Sequence, residues 1–264
     1  MAEKIVTKGI VLRETQTKEA DKILTVLTPD LGKVGVVARG ARRKGSRIAA
    51  ASELLAFSEL VLYERHGWYL LDEASTLALF DGLRRDVTLL SLASYFAELT
   101  ETVTSEGEGA GDVLALLLNA LYALDTLGKE PETVRAAFEL RLLSLSGYEP
   151  LLDGCAVCGR EDVAEPRFDP LQGVVLCRGC AGAETGALLP LDGGALAAMR
   201  HVIRSERKKM LSFTLSADGL RRFSRACEAF AHVQLDRPFR TLDFYKSMRA
   251  AEEAPRSDPV SDGV

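Results

Sequence analysis

Four cysteines in the second half of the sequence are spaced as ligands of one metal ion. They stand in the run CAVCGREDVAEPRFDPLQGVVLCRGC as two pairs, Cys155 with Cys158 and Cys177 with Cys180, with 18 residues between the pairs. A Cys-x-x-Cys pair places two sulfurs in one tight turn, and two pairs at this separation are typical of a four-thiolate zinc site. Because four thiolates fill a tetrahedral shell, we expect one structural Zn²⁺ and no position for a catalytic water.

A second chemical signal is a run of cations without carboxylates, GKVGVVARGARRKGSR, at residues 32–47. Its cations are Lys33, Arg39, Arg42, Arg43, Lys44 and Arg47. Such groups bind phosphates, and the interspersed glycines leave room for a polyanion to approach. The run therefore predicts contact with a nucleic-acid backbone, weakly selective for sequence. The alternative is a solvated basic loop without a ligand.

Charge is sorted by region along the chain, although the net charge is −5. Residues 1–50 hold 11 Lys and Arg against 5 Asp and Glu, whereas residues 98–132 hold 8 acids and one lysine. Residues 200–225 are basic again, with 8 cations against 2 acids. This sorting indicates a surface that faces a polyanion. The cations of this second basic segment, apart from Arg200, are Arg204, Arg207, Lys208, Lys209, Arg221, Arg222 and Arg225.

The sequence offers little support for an enzyme. The histidines are His66, His201 and His232. None stands beside a Ser, a Cys or paired carboxylates that would suggest a nucleophile and its base. The segment GEGAG at residues 107–111 lacks the Lys-Ser/Thr of a phosphate-binding loop and predicts an interhelical loop. Cys227 lies on an apolar stripe at helical spacing, which predicts a place in a helix core.

The elements that must position these residues begin with strands. Five are predicted between residues 5 and 74, in the runs IVTKGIVL, KILTVLT, KVGVVAR, ELLAFSELVLYE and GWYLLDEA. An open sheet of five short strands would expose two edges, so a small closed barrel of the OB or SH3 kind is favoured. The basic run then lies on the third strand and the loop that leaves it. The barrel's candidates for base stacking are Phe57, Tyr63, Trp68 and Tyr69.

Helical periodicity takes over from about residue 81. Helices are predicted from there to the segment SEGEGAGD, and over residues 112–127, 131–147, 193–205 and 216–235. The cysteine run interrupts this helical block, and RFDP and GVVL are the predicted arms of a hairpin within it. The last fifteen residues are rich in Glu, Asp, Pro and Ser, which predicts a disordered tail.

These patterns predict an α+β protein with four parts. The parts are a five-stranded barrel at 1–80, a helical domain at 81–150 and 186–249, a cysteine module inserted at 151–185, and a tail at 250–264. No apolar run approaches the roughly 20 residues that span a bilayer, and the N-terminus lacks a signal-peptide core. We therefore expect a cytoplasmic protein that makes no membrane contact, with reduced cysteines.

The order of these segments resembles that of the RecO family of bacterial recombination mediators. The resemblance is carried by TKGIVLRETQTKEADKILTVLTPDLGKVGVVARGARRKGSR, by the helical middle with its cysteine pairs, and by the closing QLDRPFRTLDFYKSM. It implies an N-terminal OB-fold barrel, a helical domain that carries the zinc module, and a non-enzymatic role in DNA repair.

The resemblance also implies partners. These are single- and double-stranded DNA, RecR, in some settings RecF, and the acidic C-terminal tail of single-strand-binding protein. Such a protein anneals complementary strands and helps RecA replace single-strand-binding protein on DNA, and it associates with the nucleoid. The second basic segment is a candidate to receive the tail or to extend the DNA contact. Two other classes stay open: an RNA-binding barrel with a zinc ribbon, and an adaptor that binds acidic protein tails.

Overall fold

The structure is a computed structural model that describes residues 4–65, 67–182 and 188–253. The first five strands are β1 (Lys4–Thr17), β2 (Asp21–Thr28), β3 (Gly32–Ala38), β4 (Phe57–Arg65) and β5 (Trp68–Ala78). They close into a barrel in the order β1-β2-β3-β5-β4, in which β3 and β5 run parallel and the other neighbours antiparallel. The five-stranded OB-fold barrel predicted from the sequence is confirmed.

The barrel forms because its strands alternate apolar and polar positions. In β3, Val34, Val36 and Ala38 point into the barrel core, while the residues between them face outward. Strand β1 pairs with β4 over residues 4–10 and with β2 over residues 10–17, and its pairing with β2 has an irregular register between Val11 and Arg13. A bulge of this kind lets one strand bend around a small barrel.

The predicted fourth strand began too early. Residues 53–56 lie in a turn that follows a short 3₁₀-helix (Ala50–Ser52), and β4 begins at Phe57. Leu55 adopts a left-handed backbone conformation, with φ of +63°, and its N–H donates to the carbonyl of Val11 at 2.8 Å. The side chain of Leu55 is buried in the helical core, so its apolar character does not reflect strand alternation.

The helical domain is built from seven helices in the described residues. They are α1 (Asp81–Arg84), α2 (Val87–Val103), α3 (Gly111–Asp125), α4 (Pro131–Leu145), α5 (Gly193–Arg204), α6 (Ala217–Leu235) and α7 (Arg240–Glu253). The single helix expected from residue 81 is divided in two, because the Asp86 side chain accepts the N–H groups of Thr88 and Leu89 and starts α2 afresh. None of these helices has the length and apolar character needed to cross a membrane.

The end of the chain departs from the prediction at four positions. Residues 250–253 were predicted to belong to a disordered tail but complete α7, and residues 254–264 lie outside the described part. Helix α7 extends this far because Arg249 pairs with Glu253 one turn later, at 2.8 Å, and with Glu132 of α4, at 2.7 Å. Contacts with another helix therefore override the polar composition of the segment.

The cysteine module lies between α4 and α5 and contains the predicted hairpin. Its arms are β6 (Arg167–Asp169) and β7 (Val174–Leu176), and a short strand β8 (Leu189–Pro190), which the sequence did not predict, pairs with β6. Phe168 of β6 is fully buried and meets Phe230 of α6 edge to face, with ring centroids 5.6 Å apart. The module is thereby packed onto the helical domain.

The barrel is joined to the helices at the turn between β2 and β3. The loop between α2 and α3, which includes the GEGAG segment, exchanges backbone hydrogen bonds with this turn: Lys33 N–H donates to Ser105 at 3.0 Å, and Gly107 N–H donates to Leu31 at 3.0 Å. Gly32 has φ of +68°, and a Cβ atom there would lie 2.3 Å from the Ser105 carbonyl oxygen. Only glycine fits this contact. The barrel interior forms its own core, but Ile10, Leu12 and Leu27 of the barrel strands belong to the core of the helices, so the domain boundary at residue 80 stays a prediction.

A buried arginine links the helices to one another. Arg135 of α4 is 3% exposed, and its guanidinium lies 2.7 Å from carboxylate oxygens of both Glu132 and Glu139 and 3.1 Å from Glu228 of α6. Tyr95 of α2 donates its hydroxyl to Glu139 at 3.0 Å. Tyr245 and Arg249 of α7 reach Glu132 at 2.9 and 2.7 Å. Four helices therefore meet at one charge cluster.

The cluster shifts the pKa values of the two carboxylates on α4 in opposite directions. Burial opposes ionisation of Glu132, but hydrogen bonds from Arg135, Ser224 and Tyr245 and the charge of Arg135 lower its pKa to about 2. Complete burial and the nearby charge of Glu228 instead raise the pKa of Glu139 to about 7, despite its contact with Arg135. Glu132 also pairs with Arg249 and Glu228 with Lys246, whereas the only cation that contacts Glu139 in the described residues is the shared Arg135.

Replacement of Arg135 by alanine should strongly destabilise the protein. Removing one partner of a buried ion pair leaves uncompensated charge, and the expected loss is about 3–5 kcal/mol of unfolding free energy, measured by urea denaturation. Arg221→Ala on α6 is a matched control, because Arg221 is exposed and pairs with Asp218 at the surface, so its loss should change stability little. Equal losses for both variants would contradict a structural role for Arg135.

Candidate nucleic-acid interface and metal centre

The basic loop, defined here as residues 39–47, presents its charges to solvent. Its cations are Arg39, Arg42, Arg43, Lys44 and Arg47, and all five are exposed. Within the described part of the chain, none of the five forms an ion pair with a carboxylate. Five positive charges without an acidic partner among the described residues create a local positive potential, which attracts polyanions.

The basic loop is held at its first end by the hairpin that joins β1 to β2. The N–H of Gly40 donates to the Asp21 carboxylate at 2.7 Å, and the N–H of Arg42 donates to the Ala20 carbonyl at 2.9 Å. Gly40 has φ of +66°, which allows the chain to turn directly after β3. Ala41 is 3% exposed and packs into the barrel core. The backbone is therefore fixed while the guanidinium groups point outward.

The other end of the basic loop is held by a buried lysine. Ile48 is 7% exposed and enters the barrel core, and Ser52 donates its hydroxyl to the Ile48 carbonyl at 2.7 Å. Lys22 of β2 is 5% exposed, and its amine donates to the Ser52 carbonyl at 3.1 Å and pairs with Glu14 and Glu53 at 2.7 and 3.0 Å. The loop is thus attached to the barrel on both sides of its cations.

Lys33, the sixth cation of the sequence motif, lies apart from the basic loop. It stands near the start of β3, about 20 Å along the strand direction from Arg39, and its amine donates to the Glu101 carbonyl of α2 at 2.7 Å. It lines a cleft of about 670 Å³ between the barrel and the helices, together with Arg13, Arg237 and Arg240. A role for Lys33 in DNA binding stays a prediction.

The second basic segment is mostly paired with acids of the chain itself. Arg204 pairs with Asp153, Arg207 with Asp112 at 3.7 Å and Lys209 with Glu206 at 3.8 Å. Arg221 and Arg222 share Asp218, at 2.9 and 2.7 Å. Lys208 and Arg225 are exposed and form no ion pair among the described residues. Much of the positive charge counted in this segment is therefore locally compensated.

Part of that segment faces a cavity of about 610 Å³ between α4, α6 and α7. Its basic lining residues are Arg135, Arg221, Arg225, Lys246 and Arg249, with Ala217 and Leu220 as apolar neighbours. Arg204, Arg207 and Arg222 line other cavities, so the structure does not bring the segment into one site. Lys246 and Arg249 were missed in the sequence because only the packing of α7 brings them beside α6.

The four cysteines lie together as the spacing predicts. Their Sγ atoms are all within 4.8 Å of one another, and those of Cys158 and Cys177 are 3.9 Å apart. Tetrahedral coordination with metal–sulfur bonds of about 2.3 Å requires sulfur separations of about 3.8 Å, so this arrangement fits one metal ion. The fifth cysteine, Cys227, is fully buried in α6, as the helical stripe predicted.

The electrostatics of the cluster favour a bound cation. Burial disfavours the thiolate of Cys155, but backbone N–H groups of Cys158, Cys177 and Val157 lower its pKa to about 6. Hydrogen bonds with Cys177 and Cys158 raise the pKa of Cys180 to about 12. Thiolates so close repel one another, and a metal ion relieves that repulsion while replacing the protons.

Comparison with known proteins decides the family. The model named recombination protein O N terminal matches residues 1–80, and the model named recombination protein O C terminal matches residues 84–243. This chain belongs to the RecO family. The family is one of DNA repair proteins, which agrees with the exposed basic loop on an OB-fold barrel.

Individual RecO relatives match over nearly their whole length. DNA repair protein RecO of Acetivibrio thermocellus is 31% identical over 92% of this chain and 96% of that protein. The Symbiobacterium thermophilum RecO is 33% identical over 92% and 97%, and the Anaeromyxobacter dehalogenans RecO is 36% identical over 87% and 91%. The similarity therefore includes the barrel, the helices and the cysteine module together.

Proposed function

We propose that this RecO-family chain binds the phosphate backbone of single- and double-stranded DNA through the basic loop. The observation that carries the proposal is the set of five exposed cations without acidic partners, on a backbone fixed at both ends by Asp21 and Lys22. A loop that is already ordered loses little conformational entropy on binding. Contacts to phosphates carry no sequence information, so binding is weakly selective for sequence.

In this proposal the protein is a recombination mediator and not an enzyme. A surface that neutralises phosphates of two strands reduces their repulsion and so favours annealing of complementary strands. With RecR, and in some settings RecF, the protein helps load RecA onto DNA covered by single-strand-binding protein. Family membership supports these partners and an association with the nucleoid in the cytoplasm.

The cavity between α4, α6 and α7 is the proposed receiver for the acidic tail of single-strand-binding protein. Arg225 supplies a cation, Arg221 supplies one that it shares with Asp218, and Ala217 and Leu220 supply apolar contact, which suits a peptide that combines carboxylates with apolar side chains. The cavity is also lined by Glu130, Glu132, Glu228 and Glu253, so the peptide's carboxylates must lie on the side of Arg225. Arg225 is exposed and forms no ion pair in the described residues, so it offers an immediate partner for a carboxylate.

The metal that we assign to Cys155, Cys158, Cys177 and Cys180 is Zn²⁺. Four thiolates at tetrahedral separations suit zinc, and a filled shell makes the site structural. The buried apolar residues of the module, among them Phe168 and Val175, belong to the core that it shares with the helices. Zinc would therefore hold its two Cys-x-x-Cys turns together and keep the hairpin of β6 and β7 against α6.

Replacing Arg39, Arg42, Arg43 and Lys44 together by alanine should weaken DNA binding and reduce its salt dependence. Each lost phosphate contact lowers the slope of log affinity against log salt by about 0.7 for single strands, so four should flatten it by about 3. Fluorescence anisotropy of a labelled oligonucleotide across a salt series measures this slope.

A matched control removes the same charge from the second basic segment. Arg204, Arg207, Lys209 and Arg222 each already pair with an acid, so their replacement by alanine should change the slope much less. An unchanged slope in the loop variant, or equal changes in both, would contradict the assignment. Competition with an RNA of the same sequence separates DNA binding from the RNA-binding alternative.

The double variant Arg221→Ala, Arg225→Ala should weaken binding of a labelled peptide with the tail sequence of single-strand-binding protein. Loss of two charge-assisted hydrogen bonds is expected to reduce affinity at least about tenfold, as measured by anisotropy. The variant Arg204→Ala, Arg207→Ala should bind the peptide as the original protein does. The reverse result would place the tail at the end of α5 instead.

Purified protein should contain about one equivalent of zinc by elemental analysis. Cys155→Ser should lose the metal and lower the thermal unfolding temperature, because the site then lacks one of its four thiolate ligands. Cys227→Ala removes a thiol outside the cluster and should keep the full zinc content. Protein without zinc, together with an unaffected Cys155→Ser variant, would rule out the metal site.

A further inference from the structure

An exposed aromatic ring on the barrel indicates a second kind of nucleic-acid contact. Of the four aromatic candidates in the barrel strands, Phe57, Tyr63 and Tyr69 are partly buried, and Phe57 and Tyr69 pack against the two apolar cores. Trp68, at the start of β5, is 49% exposed. It is also the single tryptophan of the chain. Of these four rings, only that of Trp68 is exposed.

The ring of Trp68 is supported by the backbone of the neighbouring strand. A Cβ atom at Gly35 of β3 would lie 3.1 Å from Cζ3 and 3.3 Å from Cε3 of the indole. Any larger side chain at position 35 would therefore displace the ring. The φ of Gly35 is not positive, so its backbone conformation does not require glycine. The absence of a side chain at Gly35 instead permits the close approach of Trp68.

The ring stands in a row of residues across the outer face of the barrel. Arg13 of β1 is in register with Thr25 of β2, which is in register with Gly35. Arg39 follows Gly35 by four residues, about 13 Å along the strand direction. The indole therefore lies at one end of this row, and Arg39 of the basic loop lies about 13 Å farther along β3, a distance that one extended strand of nucleic acid can span. Arg13, at the other end of the row, is paired with Glu101 of α2 at 2.9 Å.

We propose that Trp68 is a platform on which an unpaired base stacks when the phosphates of that strand lie on the basic loop. This inference rests on the proposed DNA binding and adds a contact that phosphates cannot make. Stacking on an aromatic side chain tolerates any base and strengthens binding about 5- to 150-fold per base. Because a base within a duplex is already stacked and paired, the platform favours single strands.

The test uses full-length protein and two oligonucleotides of equal length, oligo-dT and its abasic analogue, which keeps the phosphates and lacks the bases. We expect oligo-dT to quench the Trp68 fluorescence and to bind more tightly than the abasic analogue. Trp68→Ala should lose this preference, with affinity for oligo-dT falling about 5- to 150-fold. Its affinity for the abasic analogue and its salt slope should stay unchanged, because the phosphate contacts remain.

Two further variants make the result specific. Trp68→Phe should retain part of the preference for bases, and Phe244→Ala, which removes a ring on α7 that is 52% exposed, should retain all of it. Circular dichroism confirms that each variant is folded. If the protein binds both oligonucleotides equally and salt-dependently, and Trp68→Ala changes neither affinity, the platform is refuted while the DNA-binding proposal stands. If the original protein binds neither oligonucleotide, both proposals fail.

Discussion

The helical domain depends on a single guanidinium that is removed from solvent. Arg135 can be buried only because three carboxylates surround it, and these carboxylates are held in turn by Tyr95, Tyr245 and Arg249. The contacts come from α2, α4, α6 and α7, and α2 also carries the loop that binds the barrel turn at Gly32. The position of the barrel relative to the helices is therefore coupled to a charge cluster far from the basic loop.

The cations of the N-terminal sequence differ in whether other groups of the chain already bind them. Lys22 and Lys33 lie in or beside the basic N-terminal sequence, but their amines are occupied by carboxylates and carbonyls of the chain. The cations of residues 39–47 have no carboxylate partner among the described residues, and only Arg42 reaches a carbonyl, that of Glu19 at 3.4 Å. The proposed DNA-binding surface is thus marked by charges that the fold leaves without acidic partners, and not by the density of positive charge in the sequence alone.

Local patterns predicted the parts of the structure that depend on local rules. Alternation in β3, the Cys-x-x-Cys spacing and the apolar stripe around Cys227 each follow from the geometry of one element. The missed features depend on contacts between distant segments. Leu55 has an apolar side chain that belongs to the helical core, and residues 250–253 are helical because Arg249 meets α4. The sequence named four aromatic candidates for stacking but not which of them is exposed, and Trp68 is the one that lies over Gly35 of another strand. No window of neighbouring residues contains that information.

The barrel closes through the parallel contact of β3 with β5, which joins Val36 to Tyr69 and Val37 to Leu70. This is a short seam compared with the other pairings of the barrel, and Gly35, Trp68 and Arg39 flank it. A strand of nucleic acid that contacts both β5 and the basic loop spans the seam and binds only the closed form. Binding of the nucleic acid and closure of the barrel are then linked by mass action. At a free ligand concentration of a hundred times the dissociation constant, such a ligand adds about 2.7 kcal/mol to the stability of the closed barrel.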